Sequence, residues 1–531
     1  MLSAPVDIRP RRSMAIFAIL AILMVVVSYV FILALAAACV YLPLQLLTFN
    51  AGGFQILALF LFGIVIAATM LWSLVPRRDR FEAPGMPLFR QDQRRLFAEL
   101  DDIAASLNER LPGEVYLIPD ANAFVADRGG VMGFGSRRVM GLGLPLFSVL
   151  TVSQFRAVLA HEFAHYYGGD TSFGPWVYRT KMAIIRTFRN VGSLRTFTRV
   201  SILGAMYLAV ATVLNAYFKL FLRAVNLVSR RQEYRADELA CLVAGRQPLI
   251  DGLRAIHGAA MAWPFYWQSE VAPELWDGTL LAVSDGFARF MTAPQIREAV
   301  DKNLEKTLRR TRANPYDTHP PLGERISATE QMATRSAPED TRPATALLDH
   351  LRTLELEFIE NRIADIKVDR LKYVTWDEVA LRVKIPAWQK AVAAHAAALY
   401  GVTVELIPDQ IPKLPEIGSR IPDPRGMLLT RELRTQRAGK VFAAALALAL
   451  IENSWELTVQ PGIFKLRHGT DELNPFAAVA ALMAGKLSRD DWIRQCKALG
   501  ICQLSLSASD RAATMRRSEA QPTLFDSGAA T

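Results

Sequence analysis

From Ser13 to Pro76 the chain carries no Asp, Glu, Lys or Arg. A helix crosses the hydrocarbon layer with about 20 apolar residues, so this block predicts two spans, roughly 14–38 and 54–75, joined by the turn "LTFNAGG". The apolar run exceeds the about 7–15 residues of a cleaved signal peptide and continues straight past "LAAAC" and Cys39, which predicts an anchor and not a leader. Arg9, Arg11 and Arg12 precede the first span, Arg77, Arg78 and Arg80 follow the second, and the loop between has no basic residue. The positive-inside rule then places both ends, and everything after Arg77, in the cytoplasm.

Beyond the hairpin the pattern turns helical. Thr151 with Gln154 matches a capping box and Gly168–Gly169 a stop, so Val152–Tyr167 reads as one helix, with Phe155, Leu159, Phe163 and Tyr166 on a stripe away from His161 and His165. Gly174–Thr198 has helical character but five basic residues, each costing about 2.5–3.5 kcal/mol near the centre of a bilayer helix. Val200–Leu222 is apolar, and the expectation is that this membrane-associated segment (about 200–222) lies in the interface or against the other spans without crossing. Leu347–Ile366 has helical periodicity, and Val441–Ile451 is an apolar helix too short to span. Prolines 408, 412, 415, 422 and 424 mark a loop, "WELTVQPGIFKLRHG" a hairpin, and "NPFAAVAALMAGKLSRDDWIRQCKALGI" two helices. The fold class is mainly α with a small β-sheet (α+β). The expected organisation is a membrane hairpin at 1–76, a catalytic domain at 77–330, an accessory α+β region at 331–505 and a polar, disordered tail at 506–531.

The formal net charge of +10 is concentrated. No acidic residue falls between Thr171 and Gln232, while Arg179, Lys181, Arg186, Arg189, Arg195, Arg199, Lys219, Arg223, Arg230 and Arg231 all do. Beside membrane helices, this basic 179–231 zone points to anionic lipid headgroups, at about 1 kcal/mol per residue near the surface. No nucleic-acid module or interleaved aromatic pattern accompanies the charge, so nucleic acid is not expected as a partner. The four cysteines (Cys39, Cys241, Cys496, Cys502) form no framework, which fits a reducing compartment. "RGGVMGFGSRRVMGLG" lacks a Walker lysine and reads as a glycine-rich hairpin, not a phosphate loop.

The chemistry concentrates in "AHEFAHYYGGD". Histidines at i and i+4 share a helix face and can grip one zinc ion, while Glu162, about 100° round the helix, can reach a water bound to it. Zinc lowers the pKa of that water to roughly 7, and the carboxylate can take its proton and deliver it to a leaving amine, which suits peptide hydrolysis. With 7 histidines in the chain, a chance HExxH is expected in roughly one chain of this composition in a few hundred. A third ligand is needed. A metzincin would place it at position 171, which is Thr171. "RRQEYRADELACLVAG" offers Glu233 with Asp237 one turn on, and Glu238 in a different direction as a rival. Glu233 can bind metal, and Asp237 can accept a hydrogen bond from a ligating histidine.

"AHEFAHYYGGD", then "EYRADELA", then "DTHPPLGERI" in this order resembles the HtpX-type membrane zinc metallopeptidases, gluzincin relatives of the type I CAAX prenyl proteases. The resemblance covers roughly residues 1–330. It implies a zincin-type fold with one Zn2+ per chain on His161, His165 and Glu233. Glu162 becomes the general base, Asp237 the acid behind the metal, His319 a cleft residue able to donate to an oxyanion, and Arg325 the partner of Asp237. Upstream, "VYLIPDANAF" resembles the family's strand, so Asn122, Ala123 and Phe124 become candidates for pairing with extended substrate. The family's second pair of spans is weak here. The resemblance implies a multi-pass protein of a bacterial inner membrane, with polypeptide substrates drawn from unfolded or membrane protein segments, as in protein quality control. A CAAX-type prenyl-protein peptidase and a non-enzymatic membrane sensor or scaffold retaining the zinc site stay open. The oligomeric state is not legible, and no site is visible after residue 330, where a substrate-presenting or partner-binding role is the expectation.

Overall fold

The computed structural model describes residues 12–48, 53–75, 81–130, 135–166, 174–194, 201–309, 319–335, 338–363, 371–421 and 429–507. It is mainly helical with small sheets, and its contacts divide the chain into two units, Met1–Phe265 with Arg297–Val368, and Tyr266–Ile296 with Asp369–Thr531.

In the first unit, α1 (Arg12–Thr48) and α2 (Phe54–Leu74) form a helical pair. α1 runs well past residue 38, through Pro43, because apolar helix formers continue to Leu47 and the turn shrinks accordingly. Gly63 sits on the Cys39 carbonyl, where any Cβ would overlap the oxygen, so the two backbones touch as small residues allow in lipid.

The sheet is built from β1 (Met86–Leu88), β2 (Glu114–Ile118), β3 (Ala123–Arg128) and β4 (Arg137–Gly143), in the order β1-β2-β4-β3. β2 and β4 are parallel and the two outer pairings antiparallel, which leaves β1 and β3 as edges. α3 (Arg94–Ser106) and α4 (Leu144–Val149) pack beside α5 (Val152–Ala164). α5 begins in a complete capping box, with Gln154 N donating to Thr151 Oγ1 and Thr151 N to Gln154 Oε1. The helix ends at Ala164 with His165 as its cap; Tyr167, Gly168 and Gly169 lie outside the described residues. It is not a two-faced surface helix. Ala157, Ala160 and Phe163 are buried along with Phe155 and Leu159.

α6 (Gly174–Ser193) and α7 (Ser201–Ala244) follow. Both pack on α1 and α2 and on each other around one apolar core that includes Ile66, Met70, Ile184, Leu214 and Phe221. Residues 201–222 are therefore no separate interfacial piece: they are the first half of a 44-residue helix that continues unbroken to Glu233. Polar ties cross the bundle, from Tyr217 Oη to Ser28 Oγ at 2.6 Å, from Asn190 Nδ2 to Ser73 Oγ at 3.0 Å and from Arg186 Nη2 to the Ser73 carbonyl at 3.2 Å. Among the described residues three helices are long and apolar enough to cross a membrane, α1 from Ile22, α2, and α7 from Ile202. α8 (Arg246–Tyr266) completes the elements that frame the site.

The chain does not divide at residue 330. Gln93 and Asp349 exchange hydrogen bonds and Val152 N donates to Arg342 O, which keeps the stretch after 330 on the first unit. In the second unit Thr279–Leu281 pairs in parallel with Lys372–Val374, drawing Tyr266–Ile296 into it. There the helix Arg431–Glu452, twice as long as its apolar run, is buried continuously from Val441 to Leu450. The hairpin Glu456–Gln460 and Ile463–His468 gains a third strand, Asp471–Leu473, and the two helices after it are Pro475–Met483 and Arg489–Ala498. The proline run is a chain of short helical turns, Ile407–Gln410, Ile411–Lys413 and Leu414–Ser419, each with its proline in the first turn, where the missing N–H costs nothing; Pro422 and Pro424 lie outside the described residues. Leu506 is buried and donates to the Val402 carbonyl, so the fold runs at least to Ser507, and 508–531 are not described.

Because the Thr151 cap starts the helix that carries both histidines, Thr151→Ala is expected to cost about 1 kcal/mol of stability, while Thr151→Ser keeps most of it. Thermal unfolding of the purified protein in detergent checks this, and equal midpoints for wild type and Thr151→Ala would contradict it.

Candidate metal centre

α5 and α7 can cross closely because small residues line both. Ala157, Ala160 and Ala164 on α5 and Ala236 and Ala240 on α7 are all buried. Each helix contributes a pair one turn apart, His161 with His165 and Glu233 with Asp237. The crossing turns these pairs toward each other. His161 Nε2 lies 3.2 Å from His165 Nε2, and the Glu233 carboxylate lies 3.6 Å from each ring. Tetrahedral zinc with bonds of about 2.0–2.1 Å separates neighbouring ligand atoms by roughly 3.3 Å. The three side chains form the one group among the described residues able to hold a metal ion, and Glu233 Oε2 is buried without a hydrogen-bond donor there, as a ligand atom would be.

Behind this triangle runs a charged chain. His161 Nδ1 is 2.9 Å from Asp237 Oδ1. Asp237 accepts two further hydrogen bonds from Arg325, at 2.6 Å from Nη2 and 2.9 Å from Nε. Arg325 stands on the short helix Leu322–Thr329, and its Nη1 is also 3.3 Å from Glu233 Oε2. His319 Nδ1 contacts Glu233 Oε1 at 2.9 Å, with its side chain 65% exposed on the cleft side. Its contact is thus with the carboxylate of Glu233. Glu238 turns away from the group and pairs with Arg235 at 2.6 Å.

The electrostatics follow from these contacts. Burial and the Arg325 guanidinium both oppose charge on His161, yet the Asp237 and Glu233 carboxylates outweigh them and hold its pKa at about 9. Burial, reinforced by the charge on His161, depresses His165 to about 3. His161 Nε2 and His165 Nε2 thus face each other at 3.2 Å with opposite tendencies, one ring held charged and the other neutral. Burial raises Glu162 to about 7. The hydrogen bond to Glu233 raises His319.

Of the strand candidates, Asn122 lines the cleft, and its carbonyl accepts from Gly143 N at 2.9 Å. Ala123 pairs with Leu142 on the edge strand β3. Phe124 lies across Gly141 and packs with Tyr116, Ile118 and Val139, not in the cleft. The basic zone is only partly described. Arg186 is turned onto α2, Lys219 and Arg223 stand on α7, and Arg195 and Arg199 lie outside the described residues.

The cleft holds about 500 Å3 and has a wall missing from the sequence reading, the face of α8 carrying Leu253, Ile256, His257, Ala260 and Trp263. The three- and four-residue spacing of 249, 253, 256, 257 and 260 was the available signal. A larger groove of about 790 Å3 in the second unit, lined by Gly439, Ala443, Val479 and Met483, has no histidine or cysteine.

A buried HExxH helix thus crosses an ExxxD helix, with an arginine closing the charge. Residues 90–333 match the family model "Peptidase family M48". The chain is 30% identical over 154 residues to "Protease HtpX" of Xylella fastidiosa (strain M12), covering 27% of this chain and 50% of that one. Against "Protease HtpX" of Idiomarina loihiensis it is 24% identical over 280 residues, 51% of this chain and 84% of the relative. Against that of Acinetobacter baylyi it is 25% identical over 196 residues, 35% and 56% respectively. The chain thus spans about half the length of the first of these relatives. No solved structure matches it.

With His161 protonated at neutral pH, uptake of a divalent transition metal at pH 7.5 should release about one proton, and affinity should rise about tenfold per pH unit until it levels near pH 9. Calorimetry in buffers of different ionisation enthalpy counts the proton. Asp237→Asn should bind metal about 10–100-fold more weakly and release less than one proton. Uptake with no proton released by the wild type would contradict the assignment.

Proposed function

We propose that the chain is a membrane-bound, zinc-dependent endopeptidase that hydrolyses peptide bonds in unfolded or membrane protein segments. The observation that carries this reading is the meeting of His161, His165 and Glu233, whose ligand atoms, one from each residue, lie within 4.8 Å of one another, close enough to share one zinc ion. The HtpX-like match supports the same reading.

Bound zinc would polarise the scissile carbonyl and acidify a water molecule. The chain's own residues do the rest. Asp237, held by Arg325, fixes the His161 ring through Nδ1 and so keeps Nε2 aimed at the metal. Arg325 and His319 together hold the Glu233 carboxylate in place. Glu162 borders the same cleft, and with a pKa of about 7 it can accept a proton from water and release it to the leaving amine. The free edge of β3 offers backbone hydrogen bonds to an extended segment, which favours unfolded substrate over a fixed recognition sequence. The arginine flanks of the apolar helices support a cytoplasmic catalytic domain in a bacterial inner membrane, and the 179–231 residues a contact with anionic headgroups.

Glu162→Gln is expected to retain zinc and to lose at least about 100-fold in cleavage of an unfolded protein. For the wild type at saturating zinc, kcat/KM should rise with pH through about 7, since the base works only as the carboxylate. Metal analysis beside a gel-based cleavage assay checks both. Undiminished cleavage by Glu162→Gln overturns the assigned base, and an apoprotein that zinc does not restore after chelation overturns the metal.

A further inference from the structure

His257 is the one titratable side chain that α8 places on the wall of the cleft among the described residues, and its hydrogen bonding is fixed. Nδ1 lies 2.8 Å from the Leu253 carbonyl, which can only accept, so Nδ1 carries the proton. Burial lowers the pKa of the ring, keeping it neutral. Nε2 is left as a bare lone pair, and among the described residues it has no hydrogen-bond partner. Around it the wall is apolar: Leu253, Ile256, Ala260 and Trp263 on α8, and Val158 on α5 one turn before His161.

Resting on the endopeptidase reading, we infer that His257 is a specificity-determining residue: the α8 wall selects, beside the scissile bond, a substrate side chain with an aromatic body and a terminal donor, tyrosine above all. The ring covers the apolar wall, with Trp263 as aromatic neighbour, and the phenolic O–H donates to His257 Nε2. Phenylalanine fills the same space but leaves the lone pair stripped of water and unpaired. Serine and threonine leave the apolar wall uncovered.

The test uses the full-length, zinc-loaded protein in detergent and matched peptides that differ at one residue next to the cleaved bond, tyrosine, phenylalanine or O-methyltyrosine. The expected kcat/KM ratio of tyrosine to phenylalanine is about fivefold, the worth of one neutral hydrogen bond. O-methyltyrosine, which keeps the ring and oxygen but has no donor, should rank with or below phenylalanine. His257→Leu should bring the tyrosine preference to one or less, and His257→Gln, which retains an acceptor oxygen, should keep part of it. These readouts are ratios, so a change in overall rate does not disturb them, and the wild-type series stands even if a variant fails to fold. Cleavage that does not distinguish tyrosine from phenylalanine, or O-methyltyrosine cleaved as well as tyrosine, overturns the role of His257 and leaves the endopeptidase reading intact. No cleavage of any peptide overturns both.

Discussion

Two carboxylates, Glu233 and Asp237, are buried one helical turn apart on α7, and the first unit depends on their being neutralised. Removing an ion from water costs several kcal/mol even after relaxation, and two like charges on one helix face add repulsion. Arg325 answers both at once, with a forked contact to Asp237 and a further nitrogen near Glu233. His161 and His319 supply the remaining N–H groups. The same contacts that make the charges tolerable also orient the rings. Folding of the short Leu322–Thr329 helix onto α7 and formation of the metal-binding triangle are therefore one event, not two.

Much of this was legible because it is local and periodic. Residues four apart on a helix share a face, so His161/His165 and Glu233/Asp237 could each be read as a pair, and the Thr151–Gln154 box marked where the first helix begins. The failures are non-local. Pairing of Thr279–Leu281 with Lys372–Val374 joins strands about ninety positions apart, and neither three-residue strand signals the other, so a unit assembled from two separate stretches of chain is not legible in sequence. The prolines after 407 form turns by their local preference, but the first turn of a helix accepts proline equally well, and only packing decides between the two. A histidine on an apolar helix face, such as His257, has no legible meaning until another helix shows what lies opposite.

The basic residues of α6 argue, by composition alone, against its place in the helical bundle. The per-residue penalty that argued so applies to a side chain facing lipid with no partner. Arg186 instead donates to the Ser73 carbonyl near the end of α2, and Asn190 donates to the Ser73 hydroxyl beside it. A carbonyl in the last turn of a helix has no partner of its own and carries the negative end of the helix dipole, so it is a favourable site for a guanidinium. Composition counts the charge, while packing decides its cost. α6 packs with α7 against α1 and α2, and α7 carries the chain from that bundle back to the candidate site.

That return is made by one helix, and its continuity has a consequence for reach. Tyr217 is tied to Ser28 inside the bundle, and Glu233 follows sixteen residues later on the same unbroken α7. At 1.5 Å per residue this is about 24 Å of rigid rise, against a hydrocarbon layer about 30 Å thick. A helix of this kind does not let the metal centre drift relative to the bundle, as a loop would. The height of the cleft above the bundle is thus set in the sequence, by the number of residues between a serine–tyrosine contact and a ligand glutamate.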